Sequence, residues 1–587
     1  MTRRPLAARA GWRGARALGR GATGRAATRH ALALTTLALT ACGTAWSEPA
    51  DAGRARSDAR VAPIDAAHEE RDAALADAAL ADAALADAAP DAGPPPAFDP
   101  AAWEGAVIYF VLTDRFANGD PTNDGDATCT DPTHPTRFHG GDFQGIVDHL
   151  DYVEDLGADV LWITPVPAQV GCGYHGYWAD LDDPDDEAIE PRLGGADGLT
   201  RLIDAVHARG MRLMVDHVVN HPGRMARITR TRPEWFHPPR PACEALGDPD
   251  LFCSLSGLPD FAHERADVRA YLDAHSARFT ARFAFDAMRI DTVKHVPPSY
   301  FRDHFVPAVT AVRPSIYFLG EIFDEGYGLH DRYLDAGLHG HFDFALRRAI
   351  IGALAQGGSI DPVARRVAEA VERFGPARAR LRSTFLDNHD VPRFLEEMGA
   401  RPEGERRERL HLALAVLTTT PGIPQLYYGT ELGMRGTYPE NRRDMPAWAW
   451  RAETRTGAHD GFLAEPERTH AWTRRLVALR RALPALGHGD YVELWRPGGS
   501  GVELWAFLRA AGASRALVTF NAGATALSGR RMRLRDNPNV RAEDAAAFPD
   551  DVVLVDRLGA ASGGSARVEG GQLVVDLPPR SVAVWTP

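Results

Sequence analysis

Seven short apolar runs, separated by longer amphipathic segments, constrain the fold of this 587-residue chain more than any other feature. Runs that are apolar throughout predict strands buried on both faces, and the amphipathic segments between them predict helices that cover a parallel sheet. Seven or eight such units favour a closed (β/α)8 barrel, in which a weak run near 341–343 supplies the missing strand. The seven runs cover residues 107–114, 158–165, 211–218, 284–291, 316–321, 383–390 and 423–431.

After about residue 488 the pattern changes to short alternating strands, which are typical of a β-sandwich. We therefore predict an α/β chain with a TIM barrel over 101–488 and an antiparallel β-sandwich over 489–587. A short insertion, at about 221–262, follows the third strand of the barrel. The composition is typical of a soluble globular protein, because 45% of the residues are hydrophobic and 25% are charged.

The charge balance excludes one class of partner. The formal net charge is −13, and the eight arginines within residues 1–41 mask a still more acidic remainder. Nucleic-acid binding needs a basic face, so we predict no nucleic-acid partner.

The N-terminus has the features of an export signal. Residues 1–30 are rich in arginine and lack acids, and the apolar run 31–41 follows them. This run is too short for a permanent membrane span, which needs about 20 residues, but it suits a secretory signal. We therefore predict a signal peptide over 1–41. The long arginine-rich lead leaves open a start codon further along the chain.

The end of the signal, LTAC at 39–42, resembles the bacterial lipobox. We predict that Cys42 carries a lipid, which anchors the protein at the outer membrane or cell surface without spanning it. The alternative is an ordinary signal cleaved after Ala45, which gives a secreted or periplasmic protein. In either case the protein is exported, and we expect a monomer whose membrane contact is limited to the lipid.

Residues 42–100 are predicted to form a solvated tether. The repeat LADAA returns every five residues, which matches neither the period of a helix nor that of a strand. No apolar stripe forms that could be buried, and three prolines at 94–96 stiffen the exit. A partner-binding repeat is the alternative.

The cysteines support export. With Cys42 lipidated, four cysteines remain, and four allow three pairings. The short loop between Cys243 and Cys253 favours a local bridge, which leaves Cys129 to pair with Cys172. Two disulfides indicate an oxidising compartment.

Four of the predicted strands end in acids: Asp216, Asp291, Glu321 and Asp390. Barrel enzymes carry their working residues at the carboxyl ends of strands, where like charges repel unless chemistry needs them. Arg289 and Asp291 project on the same side of one strand, and a neighbouring cation keeps a carboxylate ionised, as a nucleophile requires. Glu321 would instead have to stay protonated, through burial or a neighbouring carboxylate, to act as a general acid.

Two carboxyls in opposite protonation states are the pattern of a glycosidase. A purely structural ion pair is the alternative interpretation of Arg289 and Asp291.

These acids also lie in motifs that resemble the α-amylase family, glycoside hydrolase family thirteen. The motifs, in the family's order over about 330 residues, are GYHGYW (173–178), DHVVNH (216–221), LPD (258–260), MRIDTVKH (288–295), GEIF (320–323), FLDNHD (385–390) and GIPQLYYGTE (422–431). The resemblance implies retaining attack on an α-glucosidic bond in starch, glycogen or maltooligosaccharides. It assigns Asp291 as nucleophile, Glu321 as acid/base and Asp390 as the acid that grips sugar hydroxyls.

The same resemblance implies residues that contact the substrate. Lys294, the only lysine of the chain, and His295 match the pair that lines the acceptor side in amylases and cyclodextrin glucanotransferases, and they favour α-1,4 bonds modestly. A lysine retained there indicates a position where the wider, planar arginine is not interchangeable. The other predicted substrate ligands are His175, the stacking aromatic Tyr177, His221, Arg289, His389 and Arg442.

A calcium ion is the predicted cofactor. Side chains and carbonyls rich in oxygen gather after the first strand, which suits a cation that takes six to eight oxygen ligands. This segment resembles the calcium loop of cyclodextrin glucanotransferases and related amylases, and a second ion is expected between Asn220 and Asp260. The ligands predicted for the first site are Asn118, Asp120, Asn123, Asp124, Gly140 and Asp142.

Three functions remain open. The first is an α-amylase-type hydrolase of α-1,4 bonds, and the second is a transglycosylase of the cyclodextrin glucanotransferase type. The third is a non-catalytic surface protein that binds glucans. All three acids are present, which disfavours the non-catalytic protein, and no distal starch-binding module follows the predicted sandwich, which disfavours cyclisation.

Overall fold

The computed structural model describes residues 97–181, 188–559 and 562–587. The predicted signal, the lipid site at Cys42 and the tether up to residue 96 lie outside the described residues. The packed part of the chain begins before the predicted boundary at residue 101, because the Phe98 ring stacks on His339 with a centroid distance of 3.7 Å. A short 3₁₀ helix, Pro100–Ala102, follows.

A sheet of eight parallel strands occupies the centre of the described chain, and it confirms the predicted barrel. The strands are β1 Ile108–Val111, β2 Val160–Ile163, β3 Arg212–His217, β4 Ala287–Ile290, β5 Tyr317–Gly320, β6 Gly340–His341, β7 Ser383–Phe385 and β8 Ile423–Tyr427. Their order is β6-β5-β4-β3-β2-β1-β8-β7, and a parallel bridge between Phe342 and Ser383 joins the two ends. Each of the seven predicted apolar runs contains one strand, and β6 overlaps the weak run near 341–343 at His341.

Aromatic side chains fill the barrel. Trp162 of β2 stacks on Phe110 of β1 with a centroid distance of 3.6 Å, and Phe110 stacks on Tyr427 of β8 at 5.1 Å. The Trp162 ring also lies 5.3 Å from Phe342 at the end of β6. These buried rings form an apolar floor, and they exclude water from beneath the strand ends.

Helices pack around the sheet as the amphipathic segments predict. Gly195–His207, for example, buries Leu199, Leu202 and Val206, which the helical period places on one face. The longer helices are Phe143–Asp148, Leu150–Leu156, Gly195–His207, Ala266–Arg282, Val306–Val312, Phe344–Ile350, Asp361–Leu381, Glu403–Thr419 and Pro466–Ala482. Among the described residues, no helix combines the length and apolar character needed to cross a membrane.

The insertion after β3 is short and irregular. It contains the helices Ile228–Thr231 and Pro249–Phe252, and a bridge between Phe236 and Phe261 closes its base. Both predicted disulfides are confirmed. Cys243 pairs with Cys253 within the insertion, and Cys129 pairs with Cys172, with Cα–Cα distances of 5.3 and 5.0 Å.

Two antiparallel sheets follow the barrel and confirm the predicted C-terminal β architecture. One has the order β13-β16-β11-β10-β9 and the other β12-β15-β14, and the apolar side chains of Leu508, Leu573 and Trp585 belong to their common core. The strands are β9 Asp490–Trp495, β10 Leu504–Ala511, β11 Ser514–Asn521, β12 Leu527–Arg533, β13 Val555–Asp556, β14 Ser565–Glu569, β15 Gln572–Leu577 and β16 Ser581–Thr586.

Candidate active site

The buried guanidinium of Arg289 joins three carboxyls at the carboxyl ends of adjacent strands. Its Nη1 donates to Asp291 Oδ1 at 2.6 Å and to Asp216 Oδ1 at 2.9 Å. Its Nη2 lies 2.8 Å from Glu321 Oε1. Because β3, β4 and β5 are parallel neighbours, three of the four predicted strand-end acids meet around one cation.

Two of these acids are protonated more readily than usual. Burial raises the pKa of Glu321 to about 8; the charges of Asp291 and Asp390 add to this rise, and Arg289 opposes it. Burial also raises the pKa of Asp216 to about 7 against the opposing charge of Arg289. A carboxyl with the pKa of Glu321 carries its proton at neutral pH, so it is able to donate one.

Thr292 holds the second oxygen of Glu321. The Thr292 N–H donates to Glu321 Oε2 at 2.9 Å, directly after Asp291 in the chain. Thr292 has a left-handed backbone with φ of 50°, which is unfavourable for a β-branched residue. Such strain costs about 1–3 kcal/mol and is concentrated at functional sites. Here the strained residue supplies a contact between the loops that carry the two acids.

Asp390 lies at the rim of the same site, where 34% of its side chain is exposed. Its Oδ2 is 3.0 Å from His389 Nε2, and its Oδ1 is 3.2 Å from Arg442 Nη2. Arg442 also donates to the His389 carbonyl at 2.9 Å and to the Tyr174 hydroxyl at 3.2 Å. Arg442, a predicted substrate ligand, thus holds the Asp390 carboxylate in place.

The predicted aromatic ligands surround the acids. The Tyr177 hydroxyl donates to Asp216 Oδ2 at 2.7 Å, and its ring stacks on His389 with a centroid distance of 5.2 Å. His175 Nδ1 accepts from the Tyr177 N–H at 3.1 Å. One face of the Tyr177 ring is therefore covered by His389, and stacking of a sugar on Tyr177 stays a prediction.

The three histidines near the acids are neutral. Burial lowers the pKa of His175, His221 and His389. His221 Nε2 and His389 Nδ1 are buried nitrogens without a hydrogen-bond partner among the described residues. Buried polar atoms are normally paired, so an unpaired ring nitrogen beside an acid is typical of a ligand contact.

The predicted acceptor-side pair meets the insertion. Lys294 Nζ lies 3.6 Å from Asp250 Oδ2, and His295 Nδ1 lies 2.9 Å from the Asp250 carbonyl oxygen. Asp250 belongs to the helix Pro249–Phe252 inside the loop closed by Cys243 and Cys253. The insertion therefore borders the site at Asp250.

The first predicted calcium loop is organised by Asp142. Its carboxylate accepts hydrogen bonds from three backbone N–H groups and from Asn123 Nδ2, at 2.6 to 3.1 Å. The Asp120 carboxylate accepts from the Thr122 N–H at 3.0 Å. Asp142 and Asp120, two of the six predicted ligands, thus accept hydrogen bonds from within the protein.

The other predicted ligands of this loop form a tight oxygen-rich cradle. Asn118 Nδ2 donates to Asp124 Oδ1 at 2.9 Å, and Asn123 Oδ1 is buried without a partner. A Cβ added to Gly140 would collide with Asn118 Nδ2 and lie 2.6 Å from Asp124 Oδ1. Within the described residues, no cluster of three or more His, Cys, Asp or Glu side chains is arranged to hold a metal ion.

The second predicted pair is in direct contact. The side-chain amide of Asn220 lies 3.1 Å from Asp260 Oδ1 and 3.1 Å from the His295 carbonyl oxygen. With the amide turned so that its NH₂ group faces them, Asn220 donates to both oxygens. Asp260 Oδ2 also lies 2.7 Å from His237 Nδ1, so one side of the carboxylate is already occupied.

Several residues of the site escape prediction from the sequence. Thr292 contributes a backbone N–H, and any residue type has one. Tyr174 is part of the quoted motif GYHGYW, yet its hydroxyl contacts Arg442, which lies 268 positions away. Asp250 and His237 lie in the insertion, outside the motifs quoted above. The clustering of acidic and histidine residues there was the one available signal.

Comparisons with known proteins agree with this geometry. The family model "Alpha amylase, catalytic domain" matches residues 110–237 and 249–474. A protein named beta/alpha-amylase from Paenibacillus polymyxa is 30% identical over 507 residues, which cover 82% of this chain and 38% of that protein. The chain therefore spans well under half the length of this relative. A cyclomaltodextrinase from Bacillus sp is 29% identical over 403 residues, covering 66% of this chain and 67% of that protein.

A solved structure gives the same answer for the fold. The alpha-amylase of Anoxybacillus superposes with a TM-score of 0.69 at 28% identity, covering 83% of this chain and 98% of that chain. The superposition extends beyond the barrel, because the barrel makes up less than 83% of this chain. With the family model matching more than half of the sequence, the chain belongs to the α-amylase family, glycoside hydrolase family thirteen.

Proposed function

We propose that this protein hydrolyses α-1,4-glucosidic bonds in starch, glycogen or maltooligosaccharides with retention of configuration. One observation carries the assignment: Arg289 contacts Asp291 and Glu321 with two neighbouring nitrogens, and Glu321 has a pKa of about 8. The Arg289 guanidinium holds the carboxylates of Asp291 and Glu321 together, and burial favours the protonated form of Glu321. A retaining enzyme needs the two carboxyls close together, without room for a water between them.

The proposed reaction has two steps. Asp291 attacks the anomeric carbon while Glu321 donates its proton to the glycosidic oxygen, which releases the leaving sugar and forms a glycosyl–enzyme ester. Glu321, now ionised, takes a proton from water, and that water cleaves the ester. Arg289 stays charged throughout, since its surrounding acids raise its pKa well above the usual range.

The remaining residues bind the sugar. Asp390, held by His389 and Arg442, accepts hydrogen bonds from sugar hydroxyls, which strengthen as the ring distorts towards the transition state. The unpaired ring nitrogen of His221 serves the same purpose, and Tyr177 offers an apolar ring edge. These contacts position the substrate and exclude water, while the chemistry stays with Asp291 and Glu321.

We propose calcium as a structural ion. Asn118, Asn123, Asp124 and the Gly140 backbone would supply oxygens in the first loop, and Asn220, Asp260 and the His295 carbonyl in the second site. The cradle too small for a Cβ and the converging oxygens fit a hard cation. Bound there, the ion would brace the loops that border the active site.

Transglycosylation or cyclodextrin cleavage is the second candidate. A relative named cyclomaltodextrinase aligns over two thirds of the chain, which favours testing this activity directly. Hydrolysis and transglycosylation differ only in what attacks the glycosyl–enzyme: a water in hydrolysis, and the hydroxyl of a second sugar in transglycosylation.

Export and lipid anchoring at Cys42 also remain proposals. The two disulfides support export, because such bonds persist in oxidising compartments, and the resemblance of residues 39–42 to a lipobox supports the anchor. Metabolic labelling with a fatty acid, compared between the natural protein and Cys42→Ser, tests the anchor.

The function is tested by incubating the protein with maltoheptaose, soluble starch, pullulan and a cyclodextrin. Proton NMR of the first product gives its anomeric configuration, and chromatography gives its length. We expect the α-anomer and shortened maltooligosaccharides, and no turnover by Asp291→Ala. A β-anomer as first product, or normal rates with Asp291→Ala, contradicts the assignment.

A further inference from the structure

The disulfide-closed loop, defined as residues 243–253, reaches the acceptor-side pair. The Asp250 carboxylate lies 3.6 Å from Lys294 Nζ, and the Asp250 carbonyl lies 2.9 Å from His295 Nδ1. His295 is buried, and 24% of the Lys294 side chain is exposed. One loop residue therefore contacts both members of the pair, through two different groups.

Three local contacts fix Asp250. The disulfide between the buried Cys243 and Cys253 closes the loop, with a Cα–Cα distance of 5.3 Å. Asp248 caps the short helix, and its Oδ1 accepts from the Asp250 N–H at 3.0 Å. The Phe252 ring packs edge-on against His237 with a centroid distance of 5.2 Å. The position of the Asp250 backbone is thus set by covalent and packing constraints.

The pair lies beside the proposed proton donor. The Val293 N–H donates to the Glu321 backbone carbonyl at 3.0 Å, which joins the turn Val293–His295 to the residue that protonates the leaving sugar. Glucose units beyond the cleaved bond leave on this side. The turn that carries Lys294 and His295 therefore adjoins the leaving-group side of the site.

The contacts with Asp250 give the pair a defined hydrogen-bonding character. A neutral His295 that donates from Nδ1 to the carbonyl keeps a lone pair on Nε2, which accepts from a hydroxyl. The Lys294 ammonium has three donors, and its charge lies 3.6 Å from the Asp250 carboxylate. An adjacent donor and acceptor complement two neighbouring hydroxyls of a glucose unit.

We propose that Asp250 is a positioning residue for the leaving-group side of the site: through Lys294 and His295, the disulfide-closed loop favours substrates with glucose units beyond the cleaved bond. The role of Asp250 rests on the proposed function. This role predicts that loss of the Asp250 charge lowers kcat/KM only for substrates whose leaving group is a sugar.

Two substrates separate this effect from a general loss of activity. Maltoheptaose has a sugar leaving group, whereas α-maltosyl fluoride releases fluoride and leaves the acceptor side empty. Asp250→Asn removes the charge and keeps the backbone carbonyl. We expect kcat/KM for maltoheptaose to fall about three- to fivefold, mostly through KM, as for a partly exposed ion pair. For α-maltosyl fluoride the change should stay below about 1.5-fold, within experimental error.

A double-mutant cycle distinguishes positioning from a merely structural role. In a Lys294→Met background, Asp250→Asn should have no further effect on maltoheptaose, because its partner is already absent. Asp250→Glu retains the charge and should recover most of the wild-type value. The matched control is Glu244→Gln, which removes a carboxylate of the same loop that contacts Arg240 at 2.6 Å. This control should leave kcat/KM unchanged for both substrates.

The ratio of kcat/KM for the two substrates does not depend on the fraction of folded enzyme, so partial unfolding of a variant does not obscure the result. Equal losses on both substrates, an additive effect in the Lys294→Met background, or an unchanged ratio in Asp250→Asn overturns the role of Asp250. A wild-type enzyme inactive on both substrates refutes the proposed function instead.

Discussion

Replacing Glu321 by glutamine tests the division of labour between the two acids. The amide has the same shape and keeps an oxygen for Arg289 Nη2, but it has no proton to give at any pH. General acid catalysis contributes typically 10²- to 10⁴-fold. We therefore expect kcat/KM for maltoheptaose to fall about 10³-fold in Glu321→Gln, within that range.

The pH profile gives the sharper measurement. With a pKa of about 8, Glu321 is mostly protonated at pH 7 and mostly ionised at pH 9. Wild-type kcat/KM for maltoheptaose should thus decline above pH 8, approaching tenfold per pH unit. In Glu321→Gln this alkaline limb should be absent. The value of kcat/KM for α-maltosyl fluoride, which reports the step that forms the glycosyl–enzyme, should fall far less than that for maltoheptaose, because fluoride needs little protonation to leave.

Stability provides an independent check with a defined sign. The folded pKa of Glu321 is about 8 and the unfolded value about 4.5, so the folded state binds this proton more tightly. The stabilisation is fully present below pH 4.5 and is lost as the pH rises through 8. At about 1.4 kcal/mol per pKa unit it amounts to several kcal/mol. Glu321→Gln should flatten this part of the curve of Tm against pH.

In the kinetic measurements, an unchanged alkaline limb in the variant, or an equal loss of kcat/KM on both substrates, refutes the assignment of Glu321 as the acid.

Three further variants probe the surroundings of the site. Arg289→Met leaves three buried carboxyls without their cation, so the free energy of unfolding, measured by urea titration, should fall by about 3–5 kcal/mol. The loss should be smaller at low pH, where the acids are protonated. Equal losses at pH 5 and pH 8 contradict this expectation. Gly140→Ala should lower Tm and abolish its dependence on a calcium chelator, whereas Gly457→Ala, also at positive φ but in open space, should keep that dependence. Arg480→Met removes donors to the carbonyls of Thr418 and Gly422 at the opposite end of the barrel, so it should destabilise the fold by about 1–3 kcal/mol and leave KM unchanged.

The sequence pattern predicts the barrel well because parallel strands covered on both faces must be apolar throughout. Each of β1 to β5, β7 and β8 lies inside a predicted run, and the two-residue β6 overlaps the weak run at His341. The disulfides follow from the sequence because the ten-residue separation of Cys243 and Cys253 favours a local pair, which leaves Cys129 and Cys172 for each other. The packing of Phe98 on His339 lies before the predicted boundary at residue 101, and it joins residues 241 positions apart, so no local sequence pattern indicates it.

The active site was predictable only in part. Alternation along β4 places Arg289 and Asp291 on one side, and the need for an acid predicts a raised pKa for Glu321. That Arg289 also contacts Asp216 and Glu321 depends on the register of three strands, which local patterns do not encode. Contacts of Asp250 with the acceptor-side pair depend likewise on how the insertion folds back.

The most direct test of the account is to identify the residue that bonds to the sugar. Glu321→Gln incubated with α-maltosyl fluoride should form the glycosyl–enzyme readily, since fluoride leaves without a proton, and cleave it slowly, since no base remains. Mass spectrometry of the digested protein should then show one maltosyl group on the peptide that contains Asp291, attached to its carboxylate. A maltosyl group on another residue, or rapid turnover by Asp291→Ala without any adduct, would contradict the assignment of Asp291 as nucleophile.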